Sequence, residues 1–380
     1  MGYRLWTKSG HNMFDMASLL QKAIRRGDYE RAGYAAEEMF GAYYGMLWKR
    51  IVTVTAEDCF GVLTKEIVAL RRQCEKYNKG AKGYEKDSRY VARAIDLMCR
   101  ARKSRDACYY ACNFILTEDT LTDRIPDDAF ISRHLADMEA VNNPFSFDNL
   151  EGPAEIGQPN LLVGEPDSIA FLGACLRKGI RTLDSELSGY ALQQLRQRDY
   201  IAIWKTLYII ACDECEGRAA NEIVALKLAD MYVNKTKPME QRDEIYIAKS
   251  VMVLMYDISR RFNTVLAEDS MAYTSLLKWD AEPKPISECI LPGGEIPDWV
   301  YDVHTIKGKK AGKTDWIMNI DEFNGLKPLQ EGFYDNGSWQ PRYEWKWAHG
   351  QCSAIEYDDM KEYSKARKGN PLEMIEDRFN

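Results

Sequence analysis

Histidine is scarce in this chain. Four residues of 380, at positions 11, 134, 304 and 349, leave little material for imidazole catalysis or histidine-rich metal sites. Proline is missing from the first 125 positions and begins at Pro126. Long apolar runs are missing too: no stretch approaches the ~18 consecutive apolar residues of a membrane span. The opening Met-Gly-Tyr-Arg-Leu-Trp has no apolar core of the kind a signal peptide carries. These absences predict a cytoplasmic protein without membrane contact. Positive charge is in deficit, with a formal net charge of −7, which excludes a general nucleic-acid coat but leaves room for a local basic patch. Ten cysteines are scattered from Cys59 to Cys352, unlike a small secreted disulfide framework, and are expected as reduced thiols, mostly small core residues.

What is present is ordinary globular material, 46% hydrophobic and 29% charged, which argues against disorder. The proline-free start is rich in Ala, Arg, Glu, Leu and Met and reads as helices. Leu47, Ile51 and Val54, and then Val91, Ile95, Met98 and Cys99, recur at helical spacing. Residues 143–166 change character, with Pro144, Pro153, Pro159 and Pro166 marking a linker or an extended crossing segment. A second such zone surrounds Pro283, Pro285, Pro292, Pro297, Gly293 and Gly294.

An internal repeat organises the rest. Trp48 to Leu70 aligns without gaps onto Trp204 to Leu226, at an offset of 156, and nine of the 23 pairs are identical; average composition gives roughly one or two. Gly33-Tyr34-Ala35 meets Gly189-Tyr190-Ala191, Asn78-Lys79 meets Asn234-Lys235, and Asp87, Tyr90, Ala92 and Arg105 meet Asp243, Tyr246, Ala248 and Arg261. Arg25-Arg26-Gly27 resembles Arg177-Lys178-Gly179, which implies four extra residues afterwards in the second copy. The expected fold is mainly α: two homologous multi-helix units of about five helices each and a less regular C-terminal region. The boundaries predicted are 1–142 for the first unit, 143–166 for the linker, 167–278 for the second unit and 279–380 for the Pro/Gly, basic and aromatic-rich region. Trp48 and Trp204 are expected as core anchors at helix starts. Gly61 and Gly217 are expected to end those helices through left-handed caps.

The first unit carries further strings in a fixed order: Gln21 to Asp28, Ala32, Tyr34-Ala35, Leu47 to Ile51, Ala56-Glu57-Asp58-Cys59-Phe60-Gly61, Ala94, and Ala101-Arg102-Lys103-Ser104. Over roughly 90 residues this resembles the C-terminal helical region of the replication-associated recombination protein A family (RarA, also called MgsA), clamp-loader-related ATPases. The second copy is a weaker echo. The resemblance implies a region that assembles the protein into oligomers beside a motor, without the motor itself. The family's ATPase domain is absent. The nearest phosphate-loop string, Gly308 to Thr314, has three residues between Gly308 and Gly312 where four are needed before Lys313-Thr314. ATP hydrolysis is therefore not expected, and no cofactor is.

Several residue sets admit a functional and a structural reading. Glu57-Asp58 and Asp213-Glu214 occupy equivalent repeat positions. They could be carboxylate metal or acid–base sites, or helix-end groups capping amides and pairing with Lys49 or Arg50. Cys212-Asp-Glu-Cys215 could be redox active or half of a zinc site; the structural reading is two core cysteines on one helical turn. Arg25, Arg26 and other basic residues of the first unit could touch DNA phosphates, or form solvated faces. Lys307, Lys309, Lys310 and Lys313, followed by Trp316, Phe323, Phe333, Tyr334, Trp339, Tyr343, Trp345 and Trp347, suit single-stranded nucleic acid. The structural reading, an aromatic-rich arm docked on the helical units with a basic solvent loop, is the favoured one. His304 beside Asp302 is a further candidate. The expected role is a non-enzymatic accessory of DNA replication, recombination or repair. It would bind another copy of itself or a replication ATPase, and would touch DNA through the 301–314 loop. Such a stripped-down relative suits a phage or mobile element. The alternatives are a single-stranded nucleic-acid-binding protein and a metal-dependent enzyme using the repeated acidic pairs.

Overall fold

The computed structural model describes residues 5–83, 86–115, 126, 128–140, 168–215, 217–259, 282–313, 325–330, 332–334, 346–355, 357–358 and 361. The protein is mainly helical, and among the described residues extended pairing is limited to isolated bridges. No helix is long and apolar enough to cross a membrane among those residues.

Five helices open the chain: α1 (Met13–Arg25), α2 (Tyr29–Phe40), α3 (Tyr44–Asp58), α4 (Thr64–Tyr77) and α5 (Arg89–Arg100). The Asn12 side chain caps α1 by accepting from the Phe14 N–H. One face of α1 then buries Met13, Met16, Ala17, Leu20, Ala23 and Ile24. Gly27 turns the chain at φ +65°, and the Asp28 side chain caps α2 by accepting from the Arg31 N–H. After α5 come α6 (Asp106–Tyr110), a π-helical turn (Ala111–Ile115) and α7 (Asp128–Ala140). A second set of five follows: α8 (Ile169–Arg181), α9 (Ser185–Arg198), α10 (Tyr200–Glu214), α11 (Gly217–Asn234) and α12 (Ile245–Ser259). The short α13 (Ile306–Lys310) lies near the end.

The offset of 156 recurs in the helix bounds. Both ends of α1 and α8 differ by it, as do both ends of α3 and α10 and the starts of α2 and α9 and of α5 and α12. Asp28 and Asp184 cap α2 and α9 by accepting from Arg31 and Leu187. Asn78 donates to the Asp87 carbonyl and accepts from the Asp87 N–H; Asn234 makes the same two bonds with Asp243. The four extra residues expected after Arg177-Lys178-Gly179 are not present. The partner of Gly27 is Leu183, also left-handed at φ 60°. Gly179 lies inside α8, and Arg177 holds the place of Gln21, one turn before that of Arg25.

The chain divides into units differently from the predicted boundaries. One compact unit combines 1–105 with 271–380, and the other spans 106–270. Residues 106–142 thus join the second unit. Tyr110 donates to the Ser188 hydroxyl at 2.7 Å, Tyr256 bonds Asp106, and Phe114 lies against Gly189. The C-terminal region joins the first unit. Residues 282–302 cross α1 and α2: Tyr29 donates to the Lys284 carbonyl, Glu30 accepts from Lys284 and the Ile290 N–H, and Ser18 donates to the Val300 carbonyl. Gly33 fits there because Cys289 occupies the place of a Cβ. Residues 325–334 bury Leu326, Phe333 and Tyr334 and hydrogen-bond Arg25 and Lys103 through the backbone. The predicted linker 143–166, Arg261, and Trp316, Phe323, Trp339, Tyr343 and Trp345 lie outside the described residues.

Trp48 and Trp204 are 0% and 1% exposed, each in the fifth position of its helix. The glycine caps turn out otherwise. Gly61 is left-handed at φ +76°, but α3 has already stopped at Asp58, where Cys59 turns extended and pairs with Lys103. Gly217 is the first residue of α11 and faces open space.

Candidate functional site

The repeated acidic pairs are arginine-clamped. Asp58 is fully buried, and the Arg25 Nε lies 2.9 Å from its Oδ1. Arg105 Nη1 sits 2.7 Å from both Glu57 Oε1 and Asp58 Oδ1, and Arg25 Nη2 is 3.2 Å from Glu57 Oε1. Gln21 donates to both carboxylates and accepts from Arg50. Two carboxylates and two guanidiniums cancel in charge, which is what permits Asp58 to stay buried. In the second unit Arg177 reaches Asp213 at 2.9 Å and Glu214 at 3.4 Å, pairs with Asp137, and Arg181 adds a contact to Glu214. A cation at either pair would have to displace guanidinium. Among the described residues no group of three His, Cys, Asp or Glu side chains is placed to hold a metal.

The basic residues separate into spent and open ones. Arg25, predicted at a nucleic-acid surface, is 1% exposed, because its charge is consumed by Glu57 and Asp58. Arg26 is half-buried and stacks on Trp299 at 4.1 Å. Lys313 bonds Asp298 at 3.0 Å. Lys307, Lys309 and Lys310 are exposed, with Lys307 lying over the Tyr301 ring at 4.1 Å. Their setting is helical: the Thr305 side chain caps α13 by accepting from Gly308, and Gly312 turns left-handed after it. Gly308 packs on the Asp302 backbone, so the Gly308–Lys313 string is not an open loop; Thr314 is outside the described residues. His304 is exposed, and its N–H donates to Asp302 Oδ1. Asp302 itself pairs with buried Lys22 at 2.5 Å. Burial works to raise the Asp302 carboxyl, but the Lys22 hydrogen bond and charge hold it below the ordinary carboxylate range.

Three buried polar groups lie outside the candidate sites read from the sequence. Lys103 is fully buried, donates to the Cys99 and Ala101 carbonyls, and is pushed below the ordinary lysine value by burial. His134 is fully buried at 3.3 Å from Thr206 Oγ1, with its edge where a Cβ on Gly173 would be. The third is repeated. Tyr44, Cys74 and Asn78 form one hydrogen-bonded set, and Tyr200, Asp230 and Asn234, at the same offset, form another. Lys86 lies over the Tyr44 ring and Arg242 over Tyr200. The shared Asn78–Asn234 and Tyr44–Tyr200 matches at the offset of 156 were the signals available for that set.

The cysteines of the CxxC are not the core pair expected. Cys212 is exposed and Cys215 is intermediate, because the end of α10 and the start of α11 form an open turn. The matching turn of the first unit buries Cys59.

No family model, no curated protein and no solved structure matches this chain.

Proposed function

We propose that the chain is a non-enzymatic accessory of DNA replication, recombination or repair that acts by association, with a second copy of itself or with a replication ATPase, and that its two five-helix units are copies of one ancestral unit. The duplication is supported by the shared helix bounds, the paired Asp caps and the paired Asn clips at one offset. The accessory role draws on the resemblance to the clamp-loader-related helical region. One observation carries the associative reading: the repeated carboxylate pairs are neutralised within their own units, Glu57-Asp58 by Arg25 and Arg105 and Asp213-Glu214 by Arg177 and Arg181. The first unit offers apolar side chains outward, with Phe14 of α1, Ile290 of the crossing segment and Ile306 of α13 at 57%, 63% and 70% exposure. Sedimentation of the purified chain across a concentration series, alone and with the replication ATPase of its own cell, tests this. A concentration-dependent oligomer or a stoichiometric complex is expected. A monomer at every concentration that forms no complex removes the proposal.

A second reading has its own observation. Lys307, Lys309 and Lys310 are exposed on one short helix, a cationic spot suited to phosphates of single-stranded nucleic acid. Fluorescence anisotropy with labelled single-stranded DNA should show salt-dependent binding that is lost when the three are replaced by Glu. Binding unchanged in that variant eliminates this site.

A further inference from the structure

We propose that Cys212 and Cys215 are half of a tetrahedral zinc site, completed by the same two thiols of a second copy of this chain. The inference rests on the self-association reading above and supplies a device for it. Cys212 is exposed and Cys215, three residues on, is partly open. Cys212 lies in the last turn of α10, and Cys215 is the extended residue that ends that helix. Asp213, Gly217 and Arg218 around them are exposed, so the turn is accessible to another molecule.

Cys-x-x-Cys is the spacing at which two sulfurs of one chain reach one metal, and zinc takes four thiolates tetrahedrally at about 2.3 Å. Among the described residues no third ligand-type side chain joins the two thiols in a cluster. One chain therefore contributes two ligands, and a twofold pair contributes four, which is the closed set of a structural zinc centre. The intervening carboxylates are drawn elsewhere: Asp213 and Glu214 contact Arg177, and Glu214 also contacts Arg181. The first unit supplies the contrast. Ala56 stands at the place of Cys212, and Cys59, at that of Cys215, is 1% exposed. The duplicated turn offers no second pair, which fixes the stoichiometry at one zinc for two chains. Each thiol gives up its proton on binding, so four protons leave for each zinc taken up and nothing is oxidised or reduced.

The test uses the full chain, reduced and stripped of metal with a chelator, and then titrated with Zn²⁺ alone. Light scattering reads the mass, elemental analysis reads zinc per chain, and Co²⁺ substitution reads thiolate coordination by its absorption bands. Zinc should convert monomer to dimer at one ion per two chains, reversibly with chelator. Cys212→Ser and Cys215→Ser should each abolish this while circular dichroism stays unchanged, and Cys352→Ser should leave it intact. Zinc bound at one per chain without a mass change, or no zinc bound, overturns the site. A dimer that persists in chelator and in both serine variants also overturns it but leaves self-association standing. A monomer in every condition, with no zinc and no ATPase complex, removes both.

Discussion

Acidification should loosen the second unit through one side chain, His134. It is fully buried, and burial, reinforced by the nearby Arg177 charge, lowers its pKa from 6.5 to about 4. Asp137 opposes that shift and does not cancel it. The native state therefore holds the ring neutral while the unfolded state protonates it at its ordinary value. The stabilisation is complete above the unfolded pKa of 6.5 and is lost as pH falls from there towards 4. At about 1.36 kcal/mol per unit, the whole effect is on the order of 3 kcal/mol. Between pH 7 and pH 5 linkage gives a loss of about 2 kcal/mol, roughly 20-fold in the unfolding equilibrium. Urea unfolding at the two pH values, for the natural chain and for His134→Asn, isolates this term, because carboxylates titrate alike in both proteins. Asn keeps a polar partner for Thr206 and has no proton to gain. Hydrogen exchange of peptides from α7, α8 and α10 should localise the loss. An identical pH dependence in the two proteins would refute the reasoning.

Other perturbations follow from the same contacts. Arg105→Met leaves Asp58, with no exposed surface, short of one partner and should cost about 3–5 kcal/mol in denaturant unfolding; adding Asp58→Asn should recover part of it. Gly33→Ala drives a methyl into Cys289 and should cost about 1–3 kcal/mol. Gly45→Ala, which meets nothing within 4 Å, should stabilise by up to about 1 kcal/mol, and the two melting curves compared make the check. Asn78→Ala and Asn234→Ala each break a two-way clip to an aspartate backbone and should each cost about 1–3 kcal/mol. Effects that differ grossly between the two sites would count against equivalent packing.

Much of the helical architecture was legible because its causes are local. Absence of proline from the first 125 positions and apolar residues at helical spacing pointed to a mainly helical chain, which it is. The slip after Gly179 was misread because Leu183 performs a turn that sequence logic assigns to glycine. The shared strings Arg25-Arg26-Gly27 and Arg177-Lys178-Gly179 suggest that alignment, whereas at the offset of 156 Arg25 meets Arg181, which contacts Glu214 as Arg25 contacts Glu57 and Asp58. The unit boundaries were misread for a different reason. Contacts such as Lys22 with Asp302, or Glu30 with Lys284, join residues hundreds of positions apart and leave no periodic trace. At the candidate sites, Glu57-Asp58 was visible as a repeated pair, but its neutralisation by Arg105 depends on how α3 and the chain after α5 meet. The exposure of Cys212 was equally hidden, since its spacing on α10 suits a buried turn as well as an open one.

The division of the first unit between both ends of the polypeptide has a consequence for biogenesis. Residues 106–270 leave the ribosome as one uninterrupted stretch, so their unit can settle while translation continues. Helices α1 and α2 emerge earlier yet must wait for residues 282–302 before Lys22 meets Asp302 and Gly33 is covered. During that interval the face of α1 and α2 that residues 282–302 will cover stays open to a chaperone.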